Sequence, residues 1–363
     1  MEPELFRIDD IDFKDPTHFH KYLIEKYKPG VVPHNLTFVV GITQHTSQGL
    51  LDILKKRGFR IDTKKYGVVK EISYQTNEEH LETYFTHDEK TGIMIFYTNY
   101  RKVEDIPIIT KFMENDRNSF QLFLRPPIME QIKNSLISNY PDLRITNFNA
   151  YYTPNPKKQS RIRPSYERTF SYWGEDGTET LEEIENYYGV SPTMIDVRIP
   201  ENIKFRIKDT GLFTFYSGKV GTIQILFDVI EKAIRDSIRY SNAFNQTSYN
   251  MLPVKTDKKE FNIPIAKPAL IILKNKLSYS QIGKFESGFS QIGTIINSYA
   301  EEGSLFYNAD VITDNGEEFR VKANENFIKV FPREEYHFNT FMRFYKYIVE
   351  KFDSGAEFSL GEG

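Results

Sequence analysis

The sequence predicts an α+β protein of mixed and antiparallel sheets with packed helices, divided into two to three domains. Three observations carry that expectation. Short β-branched and aromatic runs alternate with amphipathic stretches through residues 1–152. Further on, runs are separated by turn residues alone, as at Pro200-Glu201-Asn202, Lys208-Asp209 and Asn315-Gly316, which suits antiparallel hairpins. Finally, 363 residues can bury more than one core without staples, and the chain has no cysteine to make a disulfide.

Residues 16–27 form the first expected helix, opened by Pro16 and stopped near Pro29-Gly30. A strand at 37–41, a polar loop through His45 and Ser47 and a helix at 50–57 follow, with Thr46 or Ser47 as the cap. Strands are expected at 68–74, 92–97 and 120–124 and helices at 106–113 and 126–140, while the charged stretch holding His80 and His87 reads as helix or loop. This alternation defines an N-terminal domain over 1–152, followed by a basic linker at 153–167 that contains Pro154, Pro156 and Pro164.

A second domain is expected over 168–245. Its acidic helix near 175–188 precedes strands at 194–199, 203–207 and 211–216, and then a long helix carries Ile223, Phe227, Ile230, Ile234 and Ile238 on one stripe. The turn Ser217-Gly218-Lys219 between the last strand and that helix could hold an anion on free amides. It does not match a P-loop, because Gly211 lies seven residues before Gly218 and Val220 follows the lysine. A third region spans 262–353, with a hairpin turning at Asn315-Gly316 and a strand at 327–331; a flexible tail covers 354–363. The paired tetrapeptides at 280–283 and 290–293 read as one helix and its lead-in, with Phe285, Phe289, Ile292, Ile295 and Ile296 facing inward. The last helix, 334–352, carries more apolar surface than one face holds, so it is either buried on two sides or docks on another protein chain or a second copy.

Composition then limits the function. Without cysteine there is no thiol nucleophile, cysteine-ligated zinc or iron–sulfur cluster, so any metal must sit on His, Asp or Glu. No basic-then-apolar leader and no apolar window near the ~18 residues of a membrane span are present, and the expected location is the cytoplasm. A net charge of −3 argues against polyanion attraction by the whole molecule, so such binding requires a local patch. The 23 Tyr and 29 Phe, with abundant Ile, Lys and Asn, resemble the coding bias of an AT-rich prokaryotic genome, and most of these rings are expected in cores.

The strongest local patch is the linker. Lys157, Lys158, Arg161, Arg163 and Arg168 concentrate positive charge between Tyr151, Tyr152, Tyr166, Tyr172 and Trp173. Cations neutralise phosphates and ring faces stack on unpaired bases, so the expected ligand is nucleic acid, with Arg101, Lys102 and Lys219 joining the same track. The leading expectation is a non-enzymatic nucleic-acid-binding or assembly subunit of an intracellular prokaryotic complex, in genome defence or DNA processing, with no cofactor, no metal and no membrane contact. Catalytic signatures such as Gly-x-Ser-x-Gly and His-Glu-x-x-His are absent. The first alternative is a metal-dependent nuclease or phosphoesterase using His18, His20, His45, Asp176 or Glu179. On a helix, however, the two-residue spacing of His18 and His20 turns them roughly 200° apart. The second alternative is a structural protein that oligomerises through helix 334–352.

Overall fold

The structure is a computed structural model that describes residues 6–27, 35–76, 79–99, 105–154, 160–255, 259–278, 281, 289, 292–300 and 306–359. The strand β1 (Leu36–Thr43) is buried along all eight residues, so it needs a partner on each edge and a layer on each face. Antiparallel neighbours β5 (Ile93–Asn99) and β11 (Leu212–Ser217) supply the edges, and the short β6 (Ser119–Gln121) pairs with the end of β1 beyond β11. From this centre an 11-stranded antiparallel sheet extends both ways. On one side lie β2 (Arg60–Tyr66), β3 (Val69–Gln75) and β4 (His80–Asp88). On the other lie β10 (Ile203–Lys208), β9 (Ser191–Ile199), β7 (Arg144–Tyr152) and β8 (Arg168–Trp173), in that spatial order.

Strands from both sides of residues 153–167 therefore hydrogen-bond in one sheet. The described residues divide into two units, one ending at Pro154 and resuming through Ser237, the other running from Ile238 onward.

Helices α2 (Ser47–Lys56) and α3 (Asp105–Asn115) cover one face of the β1 side. Leu50 and Leu54 from α2 and Ile109, Phe112 and Met113 from α3 close over Val39, Phe85, Met94 and Phe96. Gly41 lets these helices pack closely, since a Cβ would come within 2.5 Å of both Met113 Sδ and Met94 Cε and move those side chains. On the opposite face, α1 (Pro16–Lys26), capped by Asp15 through the His18 amide, buries Phe19 edge-on against Tyr97. Phe227 of α6 (Gln224–Asn245) packs there on Phe38 and His20. Further along, α4 (Pro126–Asn139) packs on β9 and α5 (Gly177–Tyr188) on β7. Arg125, just before α4, is tied to Asp236 of α6 by two hydrogen bonds of 2.8 and 2.9 Å, with both side chains at or below 10% exposure.

The second unit holds a six-stranded antiparallel sheet, ordered β15 (Gly293–Ala300), β16 (Tyr307–Thr313), β17 (Glu318–Ala323), β18 (Phe327–Pro332), β14 (Ala269–Ile272) and β19 (Glu357–Phe358). It also carries a separate ribbon of β12 (Ser248–Lys255) and β13 (Glu260–Lys267). Helix α7 (Phe338–Lys351) buries Phe338, Phe341, Phe344, Tyr345, Ile348 and Val349 within this unit, with Tyr345 and Phe341 against Phe358 and Phe344 against Phe289 and Phe319. The rings of this helix expected to dock on another chain are thus covered within the unit.

The α+β class stands, and every ladder between named strands is antiparallel. Several elements differ from expectation. The charged stretch at His80 and His87 is strand β4, because its core-facing Leu81, Thr83 and Phe85 alternate beneath the polar residues. The segment expected to be helical with Ile295 and Ile296 inward includes strand β15, where Ile296 is 58% exposed. Phe285 lies outside the described residues. At the Asn315-Gly316 turn Gly316 has φ 78° while Asn315 is not left-handed, and the Gly316 amide donates to the Thr313 carbonyl at 2.9 Å. The Asn-Gly pair suits a type I′ turn, but this is a type I turn followed by a glycine bulge. Among the described residues, no helix is long and apolar enough to cross a membrane.

Candidate nucleic-acid interface

Of the cations expected to converge, Arg161, Arg163, Arg168 and Lys219 are among the described residues. Lys157, Lys158, Arg101 and Lys102 lie outside the described residues. Arg168 donates to Ser160 Oγ at 2.8 Å and to the Ile162 and Arg163 carbonyls, and its guanidinium lies 5.3 Å from the centre of the Tyr188 ring. It tethers the loop before β8. Lys219 pairs with Glu201 at 2.9 Å in the turn after β11. That turn and the Arg161–Arg163 loop sit on β11 and β8, four strand spacings or about 19 Å apart across the sheet. Arg161 and Arg163 remain exposed, with Arg161 over the half-open ring of Tyr187 at 5.6 Å and Arg163 held at φ 47°.

A different surface collects charge and rings. In β7, β9 and β10 the buried Ile145, Phe148, Ile195, Val197, Phe205 and Ile207 alternate with half-exposed polar residues. Helices α4 and α5 account for the buried side. Register partners point to the same side of an antiparallel sheet. The other face therefore carries one row of Trp173, Asn147, Asp196, Arg206 and Thr214, and a second of Arg144, Arg198, Lys204 and Ser217. Trp173 ends the edge strand β8 with 87% of its surface exposed, far more than the other large rings.

The cations here differ in freedom. Arg206 is held by Asp196 through bonds of 2.5 and 2.6 Å and lies over Tyr216 at 5.6 Å. Arg198 and Arg144 share the exposed Glu175, at 2.7 and 3.8 Å. Exposed pairs of this kind contribute about 0–1 kcal/mol, so a phosphate can take the place of Glu175 at small cost. The sequence did carry a sign of this face: Lys204 and Arg206 alternate within the run 203–207 expected to be a strand, which puts both cations on one side.

The residues expected to hold a metal are scattered. His18 packs edge-on against Phe13, whereas His20 places Nε2 2.7 Å from the Tyr97 hydroxyl and stacks on Phe227 at 4.3 Å. Burial lowers the His20 pKa to about 4, against a small opposing pull from Asp15. His45 pairs with Asp116, and Asp176 accepts from the Tyr172 hydroxyl at 2.5 Å, a bond that holds its carboxyl below the ordinary range. Glu179 lies in the first turn of α5. Among the described residues, no group of three His, Asp or Glu is placed to hold a metal.

Residues 127–210 match the AF_0896_M family model, described as a family middle domain. This stretch runs from α4 to just past β10 and contains most of the open face. The whole chain is also similar to an uncharacterized protein of Archaeoglobus fulgidus, with 23% identity over 360 residues and 95% of each chain covered.

Proposed function

We propose that the open face of β8, β7, β9 and β10 binds single-stranded nucleic acid, with the chain acting as a binding or assembly subunit of a prokaryotic complex. The observation that carries this reading is Trp173, an 87% exposed indole on a sheet face that also presents Arg144, Arg198 and Lys204. A base stacked on such a ring gains about 1–3 kcal/mol regardless of its identity, and nearby cations neutralise the flanking phosphates. From Trp173 to Arg168, strand β8 spans about 17 Å, with Arg161 and Arg163 beyond its far end. Local charge of this kind also fits a chain whose net charge is −3.

The test is direct because the chain has one tryptophan, so its emission reports on Trp173 alone. Titration with single-stranded oligonucleotides at low salt should quench that emission. Binding should weaken on a log–log salt plot with a slope near −2, from about −0.7 for each of three phosphates neutralised. Unchanged emission with every oligonucleotide would remove the reading.

A second reading concerns a protein partner, taken as a second copy of this chain, and it moves from α7 to the β12–β13 ribbon. Register places Leu252 opposite Ile263 and Val254 opposite Phe261, so one face carries both pairs and Ile265. Leu252, Phe261, Ile263 and Ile265 are 42–49% exposed. Pro253 and Pro264 remove two amides from the edges, which disfavours strand addition and leaves face-to-face contact. Such a face is self-complementary about a twofold axis. Light scattering should show concentration-dependent dimers that Ile263→Lys abolishes, and a monomer at all concentrations would refute this.

A further inference from the structure

Ser47 is the first residue of α2, which follows the central strand β1 after a short turn capped by Thr46. Its Oγ lies 3.0 Å from Nδ1 of His87, near the end of β4. Burial lowers the His87 pKa, against opposing pulls from Glu89 and Asp88 and with a contribution from nearby His45 in the same direction, so the ring is neutral at pH 7 and can accept the hydroxyl proton. Its Nε2 is buried with no partner among the described residues, the sort of unmet group that interiors tend to keep for a purpose.

A second pair stands beside the first. Asp116, just after α3, is 6% exposed and places its carboxylate oxygens 2.9 and 3.2 Å from His45 Nε2. Burial pushes its carboxyl up, but hydrogen bonds from His45 and Ser119 outweigh this and hold it below the ordinary range. An ionised Asp116 accepts from His45 Nε2 and so fixes the orientation of that ring beside Ser47. Among the first amides of α2, Ser47 donates to Glu89 Oε2, Gly49 to Thr46 Oγ1 and Leu50 to the Thr46 carbonyl. The Gln48 amide, next to Ser47, has no acceptor among the described residues. An amide directly after a nucleophile is where an oxyanion is held when a serine attacks from a strand-to-helix turn. Thr46-Ser47-Gln48-Gly49 keeps the second glycine of the Gly-x-Ser-x-Gly pattern, and His45 occupies the place of the first.

We propose that Ser47 is the nucleophile of an esterase site, with His87 as its base and the Gln48 amide as oxyanion donor. Ser47 Oγ bonds to the carbonyl carbon of a carboxylic ester as its proton passes to His87 Nδ1. His87 then protonates the departing alkoxide oxygen as the C–O bond breaks, releasing the alcohol. Water held at His45 Nδ1 attacks the acyl-serine while His87 takes one of its protons and returns it to Ser47 Oγ, releasing the acid. Asp88, Glu89 and Asp116 make the surroundings acidic, which favours an uncharged carboxylic ester over a phosphate ester.

The test uses the full chain and a fluorophosphonate probe with intact-mass and peptide readout, alongside hydrolysis of short-chain p-nitrophenyl esters. The expected result is one adduct on Ser47, none in Ser47→Ala, and ester hydrolysis reduced by about 10²–10⁴-fold in His87→Gln. No adduct on the wild-type chain, or an adduct undiminished in Ser47→Ala, overturns the proposal. Since the first result needs no variant, misfolding of a variant cannot decide the outcome.

Discussion

The same sheet face is built in two ways within the first unit. Over β4, β5 and β1 it is sealed by α2 and α3, and the residues beneath are apolar, such as Phe85, Phe96 and Val39. Over β10, β9 and β7 it is lined by Arg198, Lys204, Arg206, Asn147 and Asn149, none of them fully buried. One half thus buries an apolar layer under helices, and the other leaves its polar side chains open. The difference lies in patterning: β1 reads apolar at nearly every position, as a strand buried on both faces must, whereas β10 alternates strictly.

The largest break in this contrast should come from the sealed half. Phe96 is fully buried between Phe85 and Phe112, and Phe96→Ala should cost about 3–5 kcal/mol in urea unfolding through lost transfer energy and the cavity left behind. Lys204→Ala on the open half should stay within about 0.5 kcal/mol of wild type. Equal losses at the two positions would mean that the halves do not differ as described.

A comparable loss is expected at Arg125, whose removal leaves Asp236 charged and nearly buried. Arg125→Ala should cost about 3–5 kcal/mol, while Arg198→Ala, which loses an exposed pair with Glu175, should cost no more than about 1 kcal/mol. The same urea series measures both, and a small Arg125 effect would show that water reaches Asp236.

How far these features could be read beforehand depended on range. The β10 and β11 strands, the α2 cap and the Asn315-Gly316 hairpin are local, and propensity and alternation within about ten residues reveal them. Strand β4 was obscured because Glu82, His87 and Asp88 raise its polarity while the alternation of Leu81, Thr83 and Phe85 runs beneath. The pairing of Ser47 with His87 spans 40 residues and that of His45 with Asp116 spans 71, so strand order alone makes these neighbours. Trp173 was visible as a ring beside a basic run, but its exposure follows from ending an edge strand, a property of the sheet and not of the segment.

A pH series sharpens the comparison on the helical side of the sheet. With its pKa lowered to about 4 by burial against Tyr97 and Phe227, His20 is neutral in the folded state where the unfolded chain would protonate it. Between about pH 6.5 and pH 4 the unfolded state binds the extra proton, so stability is full above that window and falls through it as pH drops. The loss is on the order of 3 kcal/mol and levels off below pH 4. His20→Gln should flatten this part of the urea-midpoint profile, and an unchanged slope would assign the effect to other groups.

The smallest stability effect should accompany the largest binding effect. Trp173→Ala removes an indole that is 87% exposed, so little apolar surface leaves a buried environment and the urea midpoint should move by less than about 0.5 kcal/mol. If bases stack on that ring, the same substitution should weaken single-strand binding by about 1–3 kcal/mol, measured by anisotropy because the intrinsic signal is gone. Arg144→Ala with Arg198→Ala should instead reduce the salt slope by about one to two phosphate contacts while leaving Trp173 quenching detectable. The two variants thus separate stacking from charge neutralisation on one face. If Trp173→Ala lowers stability as Phe96→Ala does, then the indole is packed in solution and the open half is not open.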